Sequence, residues 1–141
     1  MDNHLPDRRS VLAGIAVGGV TLPLLAACGA AESSGPRAKA GDVLAKTGEI
    51  PVGGGTVLAS ANMVVTQPTA GTFKCFSATC THQGCQVGDV SGGLIQCPCH
   101  GSEFSIKDGS NVRGPNGSPG GSVQPLPEEK ITVSGGEVRL A

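Results

Sequence analysis

Two short boxes, Cys80-Thr81-His82-Gln83-Gly84-Cys85 and Cys97-Pro98-Cys99-His100-Gly101-Ser102, constrain this chain more than any other feature. Each offers a Cys and a His at metal-ligand spacing, and each adds a second Cys. Fourteen residues separate His82 from Cys97, room for a strand, a turn and a return strand. A hairpin of that kind carries both boxes to one end of a sheet, where two thiols and two imidazoles converge on one point. A single Cys or His is usually a core residue. Four at this spacing point to a metal site.

The paired boxes resemble those of the Rieske iron–sulfur proteins, a family in which two Cys hold one iron of a 2Fe-2S cluster and two His hold the other. The resemblance implies that Cys80 and Cys97 ligate the inner iron, and His82 and His100 the outer, solvent-facing iron. It implies a disulfide between Cys85 and Cys99, the extra pair of the respiratory, high-potential branch that dioxygenase ferredoxins lack. Ser102 matches a Ser that donates a hydrogen bond to a bridging sulfide. Three positions depart from that branch. Phe104 stands where it has a Tyr bonded to a ligand sulfur, and Gln83 where it has a Leu. The candidate for its Pro-rich third loop, Gly114-Pro115-Asn116-Gly117-Ser118-Pro119-Gly120, is longer and more polar. The boxes run only from Cys80 to Ser102; the rest of the chain agrees with the family without identifying it.

The chemistry follows from charge as well. Replacing two thiolates of a four-Cys cluster by neutral imidazoles removes two negative charges, so an added electron costs less. The potential rises to roughly −150 to +300 mV, against roughly −400 mV for plant-type ferredoxins. The free nitrogen of an imidazole exchanges a proton near physiological pH, so one site can take up an electron and a proton together. A Cys2His2 zinc site uses the same four residues. Zinc leaves Cys85, Cys99, Gly84, Pro98, Gly101 and Ser102 unexplained, whereas loops whose N–H groups approach sulfur account for the last four.

With 141 residues, the chain holds one small domain and an export segment. It has 23 Gly, three Phe and neither Trp nor Tyr, so a thin aliphatic core needs help from a disulfide and a bound cluster. Net charge is −1 with no basic run, which gives no support to nucleic-acid binding. No Gly-rich phosphate loop or nucleophile–base pairing is present. From Gly41 the pattern is one of short strands: residues 43–44, 56–58, 63–66, 72–76, 86–87, 94–96, 103–104, 131–133 and 137–140. Turns are expected at 53–55, 91–93, 107–109 and 134–136. Past the N-terminal apolar run, no stretch has sustained helical periodicity. The domain over 41–141 is therefore all-β, and the resemblance implies Rieske-type stacked antiparallel sheets with a cluster-binding subdomain. Cys75 alternates with Phe73 on the inner face of one strand and reads as a buried, inert thiol.

Residues 1–27 read as an address. Arg8-Arg9 before an uncharged run from Val11 to Ala27 is a twin-arginine pattern with a signal-type apolar segment. Leu25-Ala26-Ala27-Cys28 resembles a lipobox, with cleavage before Cys28 and lipid on its sulfur; an uncleaved anchor is the alternative. Residues 28–40 form an Ala/Gly/Ser-rich tether. Twin-arginine export carries folded proteins, so a cluster assembled inside can travel with the domain, and a Cys85–Cys99 disulfide persists in an oxidising exterior. The expected product is a cell-membrane lipoprotein facing outward. It passes electrons as the iron–sulfur subunit of a quinol–cytochrome c oxidoreductase, with cytochrome b and a c-type cytochrome or quinol as partners. A free-standing tethered carrier, or a small subunit of another exported oxidase, is the alternative. A zinc-stabilised surface module comes third. On any of these readings the chain is not catalytic alone.

Overall fold

A computed structural model describes residues 37–141; the twin-arginine pair, the apolar run, Cys28 and most of the tether lie outside the described residues. Ten strands follow in order: β1 Val43–Lys46, β2 Gly54–Leu58, β3 Met63–Thr69, β4 Thr72–Ser77, β5 Asp89–Ser91, β6 Leu94–Gln96, β7 Glu103–Ser105, β8 Asn111–Arg113, β9 Ile131–Ser134 and β10 Glu137–Leu140. They form three antiparallel sheets, β1-β10-β9, β2-β3-β4 and β5-β6-β7-β8. The fold class is all-β, as the sequence implies. Its helical content among the described residues is three single 3-10 turns. No helix of the described residues is long and apolar enough to cross a membrane.

The middle sheet explains how so few large side chains build a core. On β3 and β4, Val64 and Phe76 face one way, and Met63, Val65 and Cys75 the other. Val64 and Phe76 join Ile95, Phe104, Ile106, Leu126, Cys80 and Cys97 in one apolar cluster. Met63, Val65 and Cys75 join Ala45, Ile50 and Val138 in a second. Buried polar groups along β3 are paired: Thr66 Oγ1 donates to Ile106 O (2.8 Å), and Gln67 Nε2 donates to Ile50 O (2.5 Å).

Several expectations needed correction. Gln86-Val87 is not a strand; Gln86 makes one bridge to Thr79, and Val87 N–H donates to Ala78 O (2.8 Å). Gly54 and Gly55 belong to β2 rather than to a turn. A Cβ on Gly55 would lie 2.7 Å from Val65 O, so glycine there permits close strand pairing. Strands β5 and β8 lie outside the expected strands; each is a single Val between polar residues, ordered by pairing with β6 and β7. Just ahead of β1, Lys39 N–H donates to Asp42 Oδ2 (2.8 Å).

Candidate metal centre

Hairpin β5–β6 is the connection between the boxes, closed by Gly92-Gly93 with Ser91 opposite Leu94. Both glycines have positive φ, 59° and 77°, as a two-residue turn of this hand requires. One register row crosses the sheet as Asp89, Gln96, Glu103 and Arg113. Cys97 follows Gln96 and Ser102 precedes Glu103, so the second box caps β6 and β7 directly.

The two boxes fold into the same six-residue bracket. Cys80 N–H donates to Cys85 O (2.7 Å) and Gly84 N–H to Cys80 O (2.9 Å). Cys97 N–H donates to Ser102 O (2.9 Å) and Gly101 N–H to Cys97 O (3.1 Å). Gly84 and Gly101 take matching φ values of 76° and 73°, a conformation that favours glycine. The ligand thiol opens each bracket, while the imidazole occupies the third slot of one and the fourth of the other.

The disulfide implied by the resemblance is formed: Cys85 and Cys99 are bonded at 2.08 Å, with Cα atoms 6.5 Å apart. It ties one bracket to the other. Segment 114–124 holds them from outside, with Asn116 N–H donating to His100 O (2.7 Å) and Thr81 Oγ1 to Gln124 O (2.5 Å). The expected third loop therefore lies against the second box. The Thr81 clasp was missed, since a Thr between two ligands gives no sign of its distant partner. Asn111, buried and donating through Nδ2 to Glu103 O and Arg113 O, was missed for the same reason.

Cys80 and Cys97 are free and buried. Burial pushes the Cys80 thiol above its ordinary pKa. The backbone N–H of His82 pulls it down, and the neighbouring Cys97 thiol adds to the rise. The Ser102 hydroxyl also favours the Cys80 thiolate, yet its Oγ is fully buried and meets no partner at ordinary hydrogen-bond geometry. The His82 and His100 rings lie edge to face, centroids 4.7 Å apart, each half-buried. His82 Nδ1 is buried without a partner.

Among the described residues, the trio of ligand atoms within 4.8 Å of one another is Cys85, Cys97 and Cys99. Two of those are consumed by the disulfide. The four candidate ligands form a buried thiol pair and a half-buried imidazole pair. A single zinc ion needs all four in one tetrahedron. Two pairs suit two irons bridged by sulfide, and the buried, unpartnered His82 Nδ1 and Ser102 Oγ are polar atoms that a metal and a sulfide would satisfy. The residues fit a 2Fe-2S cluster.

Comparison with known proteins agrees. The model of the Rieske [2Fe-2S] domain matches residues 41–128. The chain is 32% identical over 94 residues, 64% of its length, to a cytochrome b6-f complex iron-sulfur subunit of Chlorobaculum tepidum. It is 37% identical over 76 residues, 54% of its length, to a Haloferax mediterranei protein whose name assigns it as the Rieske subunit of a respiratory nitrate reductase. It spans 47% and 32% of those two relatives. In structure it is similar to a Sphingomonas yanoikuyae B1 ferredoxin, with a TM-score of 0.54 at 20% identity over 71% of this chain and 96% of that one, a likeness of fold alone. Boxes, brackets, disulfide and domain match lead to one conclusion: the chain belongs to the Rieske [2Fe-2S] domain family, whose members bind a 2Fe-2S cluster and transfer electrons.

Proposed function

We propose that the cluster is held by Cys80 and Cys97 on its inner iron and by His82 and His100 on its outer iron. The observation that carries this is the inside-out order of the two pairs, thiols in the apolar core and imidazoles toward solvent. When bound, the cluster supplies a one-electron centre of raised potential, because two imidazoles replace two thiolates. The chain's own residues orient and insulate it. The brackets pin the Cys80 and Cys97 backbone through N–H to C=O bonds, the disulfide fixes the spacing of the two brackets, and Ser102 offers a buried hydroxyl. The half-exposed imidazoles are the route by which an electron, and a proton on a ring nitrogen, reach a partner. Iron analysis with EPR of the reduced protein tests this. An average g below 2 is expected; a colourless, zinc-loaded protein would refute the reading.

We further propose that the chain works on the outer face of the cytoplasmic membrane, tethered by lipid on Cys28 after twin-arginine export, as the iron–sulfur subunit of a quinol-oxidising complex. Arg8-Arg9, the run ending Ala26-Ala27-Cys28 and a formed disulfide support the address. The Chlorobaculum relative's membership of a cytochrome b6-f complex supports the partner. A cytochrome b gene beside this one, and a lipid-modified Cys28 in the mature protein's mass, are the expected findings. The second reading, a subunit of another exported oxidoreductase, draws on the Haloferax relative and on exposed Gln83 in place of an apolar docking residue. It predicts reductase genes in that neighbourhood instead.

A further inference from the structure

Three sulfur atoms meet at the disulfide, not two. The Sγ of Cys97 lies within 4.8 Å of both Cys85 Sγ and Cys99 Sγ, whereas Cys80 Sγ is not part of that trio. Cys97 is a free thiol, so a nucleophile of the right type is stationed beside a bond it can cleave.

We propose that a chain stripped of iron rearranges its own disulfide: the Cys97 thiolate attacks Cys85 Sγ, and Cys99 leaves. A Cys85–Cys97 bond forms as the Cys85–Cys99 bond breaks. The Cys97 proton passes to water and the departing Cys99 thiolate takes one up, so the number of disulfides is unchanged and no oxidant or reductant is needed. Solvation sets the direction. Cys99 is exposed and leaves into water, while Cys85 is half-buried. Attack on Cys99 would close a ring across Pro98 alone, whose fixed φ opposes it. The rearranged chain has lost one ligand thiol, so iron cannot rebind there until Cys99 attacks Cys85 in the reverse exchange or an external thiol opens the bond. That the cluster guards Cys97 in the loaded chain rests on the ligand reading above; the exchange itself does not.

The test starts from full-length, cluster-loaded chain. Iron is removed by a chelator without oxygen, the chain is held at about pH 8, where free thiols are partly thiolate, quenched in acid, alkylated in denaturant and mapped by mass. The stripped chain is expected to yield Cys85–Cys97 with alkylated Cys99, and the loaded chain Cys85–Cys99. Compared as iron-free folded chains, Cys80→Ser should rearrange like the stripped unsubstituted chain, and Cys97→Ser should keep Cys85–Cys99. Far-UV circular dichroism shows that each sample is folded. Retention of Cys85–Cys99 in the folded, stripped chain would overturn the proposal, as would exchange that needs guanidinium or runs through Cys80. A loaded chain that rearranges as fast as the stripped one would refute the ligand assignment of Cys97 and leave the exchange standing.

Discussion

Phe104 is fully buried in the cluster of side chains that holds Cys80 and Cys97, and it offers neither sulfur a hydrogen bond. Phe104→Tyr adds one hydroxyl at nearly constant shape. Its expected effect is a midpoint potential higher by tens of millivolts, since only the redox-dependent part of a charged hydrogen bond of roughly 1.5–3 kcal/mol shifts the potential. Potentiometry followed by EPR checks this; an unchanged potential with the cluster intact means that the ring points away from the ligands. His82→Cys acts on charge instead. A retained cluster should then show a lower potential with weaker pH dependence, and an unchanged value would refute the ligand assignment. Cys75 is buried, as the strand pattern implied. Burial, reinforced by the Glu129 carboxylate, pushes it from 9.0 to about 12. The native state thus keeps a proton that the unfolded chain releases above pH 9.0, so this contribution to stability is intact below 9.0 and drains away toward 12. Cys75→Val should flatten the alkaline fall in a denaturant titration.

At the scale of elements, Gly109 combines a left-handed backbone with close packing. It sits at φ 70°, and a Cβ there would lie 2.8 Å from Leu126 O and 3.0 Å from the Phe76 ring. Gly109→Ala should cost at least about 1–3 kcal/mol from the backbone alone, lowering the melting temperature by roughly 4–8 °C per kcal/mol. A melt shifted by less than a degree would show that the turn relaxes at no cost. The same turn was legible in the sequence as Lys107-Asp108-Gly109, and so were the glycine turns that close hairpins β5–β6 and β9–β10. Strands β1, β3, β4, β6, β7, β9 and β10 were legible because β-branched or aromatic residues fill them. Asp89-Val90-Ser91 and Asn111-Val112-Arg113 were not, because their pairing comes from neighbours in space. Glycines 54 and 55 misled for the opposite reason: local sequence says turn, and contact with β3 decides otherwise.

Taken as one molecule, the metal centre was legible from its box spacing, and its division into a thiol pair and an imidazole pair from the family resemblance rather than from spacing. Spacing states which residues arrive together. It does not state that they separate into a thiol pair and an imidazole pair, which follows from the shared bracket and the clasp of segment 114–124. The cross-link between brackets has a whole-molecule cost when removed, about 2–5 kcal/mol for a native disulfide in a small domain. Cys85→Ser should therefore assemble a cluster and lose it faster, visible as quicker bleaching of the visible absorbance. The two faces of β3 lead further. Val64 belongs to the apolar cluster that includes the ligand thiols, and its neighbours Met63 and Val65 to the one that secures the first and last strands. One strand is thus a party wall, and neither half can melt while the other stands. Differential scanning calorimetry should record a single peak with equal calorimetric and van't Hoff enthalpies, displaced downward as one unit when iron is withdrawn.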